Sequence, residues 1–69
     1  MTTQQWLDTC TEIRHDATKG IHTLADLVHE KEPTPRAKIL AARAIDSLAR
    51  TTALTTNLRR ELAHPGGEP

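Results

Sequence analysis

The sequence predicts an all-α fold, an antiparallel hairpin of two long helices that pairs with a second copy into a four-helix bundle. Three observations carry this. Apolar residues recur at alternating intervals of three and four on both sides of Glu32-Pro33-Thr34-Pro35, the spacing of helices that pack along a seam. That break combines turn and helix-start residues. Finally, Trp6 is the single aromatic residue, so burial must come from Leu, Ile, Val and Ala, the usual filling of helix–helix seams.

The first helix is expected over about residues 3–31. Thr2 is its cap, with Gln5 three residues on reaching back in a capping box. Trp6, Cys10, Ile13, Ala17, Gly20, Leu24 and Leu27 follow at steps of 4, 3, 4, 3, 4 and 3. In heptad letters Cys10, Ala17 and Leu24 take position a, while Trp6, Ile13, Gly20 and Leu27 take d. Leu7, Ile21 and Val28 fall at e. A glycine inside a helix costs about 1 kcal/mol relative to alanine. Gly20 is therefore expected to sit where Leu48 approaches closely, with local flexibility as the competing reading.

A turn is expected at 32–34 and a second helix over about 35–63. Thr34 is placed as N-cap and Pro35 at the first helical position, where its missing N–H removes nothing. The seam continues through Ala37, Leu40, Ala44, Ser47, Thr51, Leu54 and Leu58, with Ala41, Leu48 and Leu62 at e. Thr51, Thr52, Thr55 and Thr56 form helices poorly by themselves, so packing must hold that stretch. Pro65-Gly66-Gly67 ends the helix, and residues 65–69 are expected to be a flexible tail. Residues 1–69 thus form one hairpin.

A chain folded at Pro33-Thr34 sets opposite one another residues whose numbers sum to roughly 67, with g facing g and e facing e. The g flank then matches Asp16 with Arg50 and Glu30 with Arg36, and sets Thr9 and Thr23 against Asn57 and Arg43. The e flank matches Leu7 with Leu62, Ile21 with Leu48 and Val28 with Ala41. With the seam at a and d, the polar g flank carries exposed pairs that serve register and orientation. The apolar e flank, Leu7, Ile21, Val28, Ala41, Leu48 and Leu62, awaits a partner. A second hairpin is the expected occupant, giving a homodimeric bundle. Ile39 and Ile45 lie outside the seam and leave room for a larger assembly or a heterologous protein partner.

In architecture the chain resembles the Rop class of plasmid RNA-binding proteins: a short chain, two long helices, a tight turn and a dimeric bundle. The resemblance spans roughly residues 3–63 without a shared sequence motif. In that class the first helices of the dimer form the RNA-binding face. The corresponding face here is Asp8, Glu12, His15, Lys19, His22, Asp26 and His29, poor in fixed positive charge, so no functional residue carries over.

Charge balances at nine basic and nine acidic residues, which selects no class of partner. Its distribution is uneven: residues 1–32 hold three basic and six acidic side chains, residues 33–69 six and three, leaving −3 and +3. The two halves complement each other. Arg36, Arg43 and Arg50 form a heptad-spaced row with Arg59 and Arg60 nearby, which supports an alternative role as a nucleic-acid-binding regulator. No aromatic residue accompanies the row for base stacking.

Reactive chemistry is sparse, and the chain is expected not to be an enzyme and to need no cofactor or metal. Cys10 is a lone cysteine at a seam position, expected as a small buried hydrophobe. Trp6 is expected to plug the end of the bundle near Leu58 and Leu62, with an exposed hot spot for a partner as the alternative. His15, His22 and His29 recur at position f about 10.5 Å apart along the helix, too far to share one ion. They are expected as a solvated face; His22, Asp26 and His29 form at best a weak ion site, or the row a pH-responsive surface. With a lone cysteine, no apolar span and no leader pattern, a cytoplasmic protein without a membrane partner is expected. The function expected is that of a small non-enzymatic interaction protein: an adaptor, inhibitor or assembly factor.

Overall fold

The computed structural model describes residues 1–64; the tail expected at 65–69 lies outside the described residues. Two helices make up the fold, α1 (Thr3–Lys31) and α2 (Pro35–Ala63), and the described residues contain no strand. Each start is set by local hydrogen bonding. Thr2 Oγ1 accepts from the Gln5 N–H at 3.2 Å while the Gln5 side chain accepts from the Thr2 N–H at 2.7 Å. This is the expected capping box. At α2, Thr34 Oγ1 accepts from the Ala37 N–H at 3.2 Å, and Pro35 opens the helix.

α1 ends at Glu32, which takes the left-handed conformation (φ 46°, ψ 59°). Glycine normally occupies such a cap because a Cβ there crowds the following carbonyl. The Thr-rich stretch of α2 is helical, and its hydroxyls bond within the helix. Thr52, Thr55 and Thr56 donate to the carbonyls of Leu48, Thr51 and Thr52 at 3.0, 2.6 and 2.9 Å. That satisfies the hydroxyl of Thr55, which is buried.

The helices lie side by side in a rod of 47 × 18 × 16 Å with a radius of gyration of 15.5 Å. A compact domain of this length would have a radius near about 11 Å. Burial is correspondingly thin: among the described residues the buried side chains are Cys10, Ala17, Ala41 and Thr55, all small. A cut through two helices has an inside only one residue wide.

The seam is not the one expected from a and d. On α1 the covered residues are chiefly those at a and e, Leu7, Cys10, Arg14, Ala17, Ile21, Leu24 and Val28, with Thr9 at g and Gly20 at d also half-buried. On α2 they include Ala37, Ala41, Ala44, Leu48, Thr55 and Leu62, joined by Ile45, Thr52 and Arg59 at b. On α1 the seam has thus turned by about 50° from the a/d bisector, at roughly 100° per residue. Small side chains explain the turn. Cys10, Ala17, Ala41 and Thr55 let the backbones approach, whereas Trp6, Ile13, Leu40 and Leu54 on the same line would hold them apart.

Candidate interaction face

The rotation exchanges the roles of the two flanks. Leu7, Ile21, Val28, Leu48 and Leu62 are half-buried and Ala41 is buried, all within the seam of one hairpin. The stripe expected to be left uncovered for a partner is therefore the stripe that closes the hairpin. Beside it lies Gly20, where an added Cβ would stand 3.0 Å from Leu48 Cδ1. That is the close approach expected from the glycine.

The g flank, expected to set register through exposed pairs across the hairpin, turns outward instead. Asp16, Glu30, Arg36, Arg43 and Arg50 are all exposed. Among the described residues none of them hydrogen-bonds across the hairpin. The interhelical side-chain bond is Arg59 Nε donating to Thr11 Oγ1 at 3.2 Å, on the b side of the seam.

What the rotation uncovers is the d row, joined on α2 by Leu58 at a. Trp6 is 47 % exposed, Ile13 42 %, Leu27 46 %, Leu40 51 %, Leu54 60 % and Leu58 52 %. In an antiparallel pair the d rows of both helices lie on the same side of an a/e seam. Trp6, Ile13, Leu27, Leu40 and Leu54 therefore form one face, with Ile13 level with Leu54 and Leu27 level with Leu40, and Leu58 at the neighbouring a position is exposed beside them. Gly20 and Ser47 make a shallow dip between them. Trp6 does not plug the end of the isolated hairpin; about half of it faces outward from this row.

Composition held a signal for this face. The d pair at the middle of the seam is Gly20 and Ser47, which bury almost nothing, whereas the e pair beside it is Ile21 and Leu48. A continuous seam needs the second.

The opposite side of the hairpin is less apolar. Near the turn an open groove of about 560 Å³ is lined by Ala25, Val28, His29, Glu32, Lys38, Ala42 and Ile45. Ile45 is half-buried beside it and Ile39 is 58 % exposed on the outer surface. At the far end Arg14, Arg59, Arg60 and His64 border a cleft of about 250 Å³. Arg14 Nε is buried there without a hydrogen-bond partner among the described residues.

Of the arginines expected as a nucleic-acid surface, Arg36, Arg43 and Arg50 stand together on the outer flank of α2. Arg60 is exposed at the distal end, and Arg59 is held by Thr11. Cys10 is buried at 2 % exposure. His15, His22 and His29 are exposed along one line of α1. Among the described residues no three His, Cys, Asp or Glu side chains converge as metal ligands. No helix of the described residues is long and apolar enough to cross a membrane.

The fold and its uncovered face define an α-helical hairpin with one apolar broad side. Compared with protein-family models, with known proteins and with solved structures, the chain has no match.

Proposed function

We propose that this chain is a small non-enzymatic interaction protein, an adaptor, inhibitor or assembly factor, that acts as a homodimeric four-helix bundle formed through the d face. The observation that carries this reading is the d row Trp6, Ile13, Leu27, Leu40 and Leu54 with Leu58 at a beside it, each 42–60 % exposed on a two-helix rod. Covering the exposed half of six such side chains contributes roughly 4–9 kcal/mol per chain. Left wet, a row of that kind promotes aggregation. Docking two such faces restores a and d together as the interior of a bundle, with e and g at its edges.

Sedimentation equilibrium at micromolar concentration tests the reading. The wild type should have twice the chain mass, and Ile13→Asp/Leu54→Asp should be monomeric. A wild-type monomer at about 100 µM, where interfaces of micromolar Kd are filled, would discard it.

One observation favours nucleic-acid binding as a second reading. Among the described residues Arg36, Arg43 and Arg50 are exposed and hydrogen-bond to no acidic residue across the hairpin, so the row is free to meet phosphates. That reading requires retarded migration of DNA or RNA at low salt that is lost in Arg43→Ala.

A further inference from the structure

The reading above leaves open which way round the second copy sits, and the charged flanks decide it. Two hairpins can dock d face to d face with their turns at the same end or at opposite ends. In the first arrangement α1 lies across α2 of the second copy; in the second, like helices lie across each other. The apolar layers fit both. With turns together, Ile13 meets Leu54 and Leu27 meets Leu40 of the other copy; with turns apart, Ile13 meets Leu27 and Leu40 meets Leu54. Gly20 and Ser47 fall in the middle either way.

The g rows flank the d face and meet across the new edge, since the e rows already occupy the edge inside the hairpin. On α1 the charged members of that row are Asp16 and Glu30; on α2 they are Arg36, Arg43 and Arg50, and all five are exposed. With turns apart, each row meets its own kind, which brings Arg43 level with Arg50 of the second copy and offers the carboxylates only Thr23 and Thr9. With turns together, Asp16 comes level with Arg50 and Glu30 with Arg36 of the second copy. The twofold axis repeats this, giving four opposite-charge pairs and no repulsive one.

We infer that the occupant of the d face is a second copy of this chain with its turn at the same end, so that the acidic flank of α1 lies along the basic flank of α2 of the other copy. This rests on the self-association reading above. It also gives Asp16, Glu30, Arg36 and Arg50 a role that the isolated hairpin does not.

The test is a spin label on Lys31→Cys, an exposed site in the last turn of α1, in a Cys10→Ala background, with mass measured on the same sample. Turns together predict a label-to-label distance near about 20 Å; turns apart predict about 40 Å, the length of the helix. A dimer with the long distance overturns the orientation and leaves self-association standing, whereas a monomeric mass overturns both.

A charge exchange supplies an independent readout. Arg36→Glu/Arg50→Glu should weaken the dimer about tenfold or more at low salt, and adding Asp16→Arg/Glu30→Arg to the same chain should restore it. With turns apart the first variant would instead tighten the dimer, because the carboxylate introduced by Arg50→Glu would stand beside Arg43 of the other copy. That outcome refutes the inference. If the first variant binds nucleic acid less well while its dimer is unchanged, the arginine row serves phosphates and the inference also falls.

Discussion

Gly20 on α1 lies directly under Leu48 on α2, so close that a Cβ on the glycine would come within 3.0 Å of Leu48 Cδ1. Two effects oppose each other at this position. Alanine would raise helix propensity by about 1 kcal/mol, but its methyl group would press on the end of a leucine that must give by a few tenths of an ångström. Gly20→Ala should therefore change stability by less than about 1 kcal/mol, while Gly20→Leu should lower it by about 1–3 kcal/mol through overpacking. A double-mutant cycle separates the effects. In a Leu48→Ala background, Gly20→Ala should recover its full gain in urea unfolding followed by circular dichroism. An equal effect in both backgrounds would show that Leu48 is not what holds the glycine there.

Glu32 invites a change of the opposite sign. It is the non-glycine residue of positive φ in the described chain, and it precedes Pro33. A Cβ is unfavourable in this conformation by about 1 kcal/mol or more. Glu32→Gly should raise the thermal midpoint by an amount equal to about 0.5–1 kcal/mol, after its extra unfolded-state entropy is counted. Glu32→Val should lower it, since a β-branched side chain tolerates the left-handed region least. Differential scanning calorimetry at fixed chain concentration compares all three.

How much of this was legible in the sequence depends on the range of the interaction involved. The helix starts were, because Thr2 with Gln5 and Thr34 with Ala37 bond within one turn and need nothing distant. The pairing of Gly20 with Leu48 was too, since a turn of three residues fixes the antiparallel register. The face was not. Positions d and e lie on either side of a, both carry large apolar residues, and a period of seven describes both stripes equally well. What separates them is volume: Cys10, Ala17 and Ala41 allow the helices to close, and Gly20 with Ser47 interrupts the d stripe at its centre. The charged edge depends on the same choice, because Asp16 and Arg50 can close the hairpin only if the seam runs along a and d.

Arg14 faces the seam at a position that a hydrophobic residue would fill without loss. Its Nε is buried with no hydrogen-bond partner among the described residues. An unsatisfied buried donor costs about 1–3 kcal/mol, partly offset here by the remaining guanidinium nitrogens. Arg14→Met keeps the length of the stem and removes the orphaned donor, so stability should rise by about 1 kcal/mol in urea titrations. A loss of stability would mean that the guanidinium group has a partner in the assembled protein. The distal cleft between Arg14, Arg59 and Arg60 is where that partner would have to bind.

The exchange of flanks makes the two apolar rows separable by experiment. Ile21 is half-buried in the seam, whereas Leu54 is 60 % exposed. An aspartate at Ile21 puts a carboxylate against Leu48 and the glycine dip. Such a substitution costs several kcal/mol, and helical signal should be lost at every concentration. Leu54→Asp leaves the hairpin seam intact and acts only where a second copy docks. Its mass should fall to that of one chain, and its remaining helicity should not change on dilution, while that of the wild type declines as the dimer dissociates. Circular dichroism across a dilution series, read beside sedimentation, distinguishes the two substitutions. If Leu54→Asp left both mass and dilution behaviour as in the wild type, the d face would not be the surface through which two copies meet.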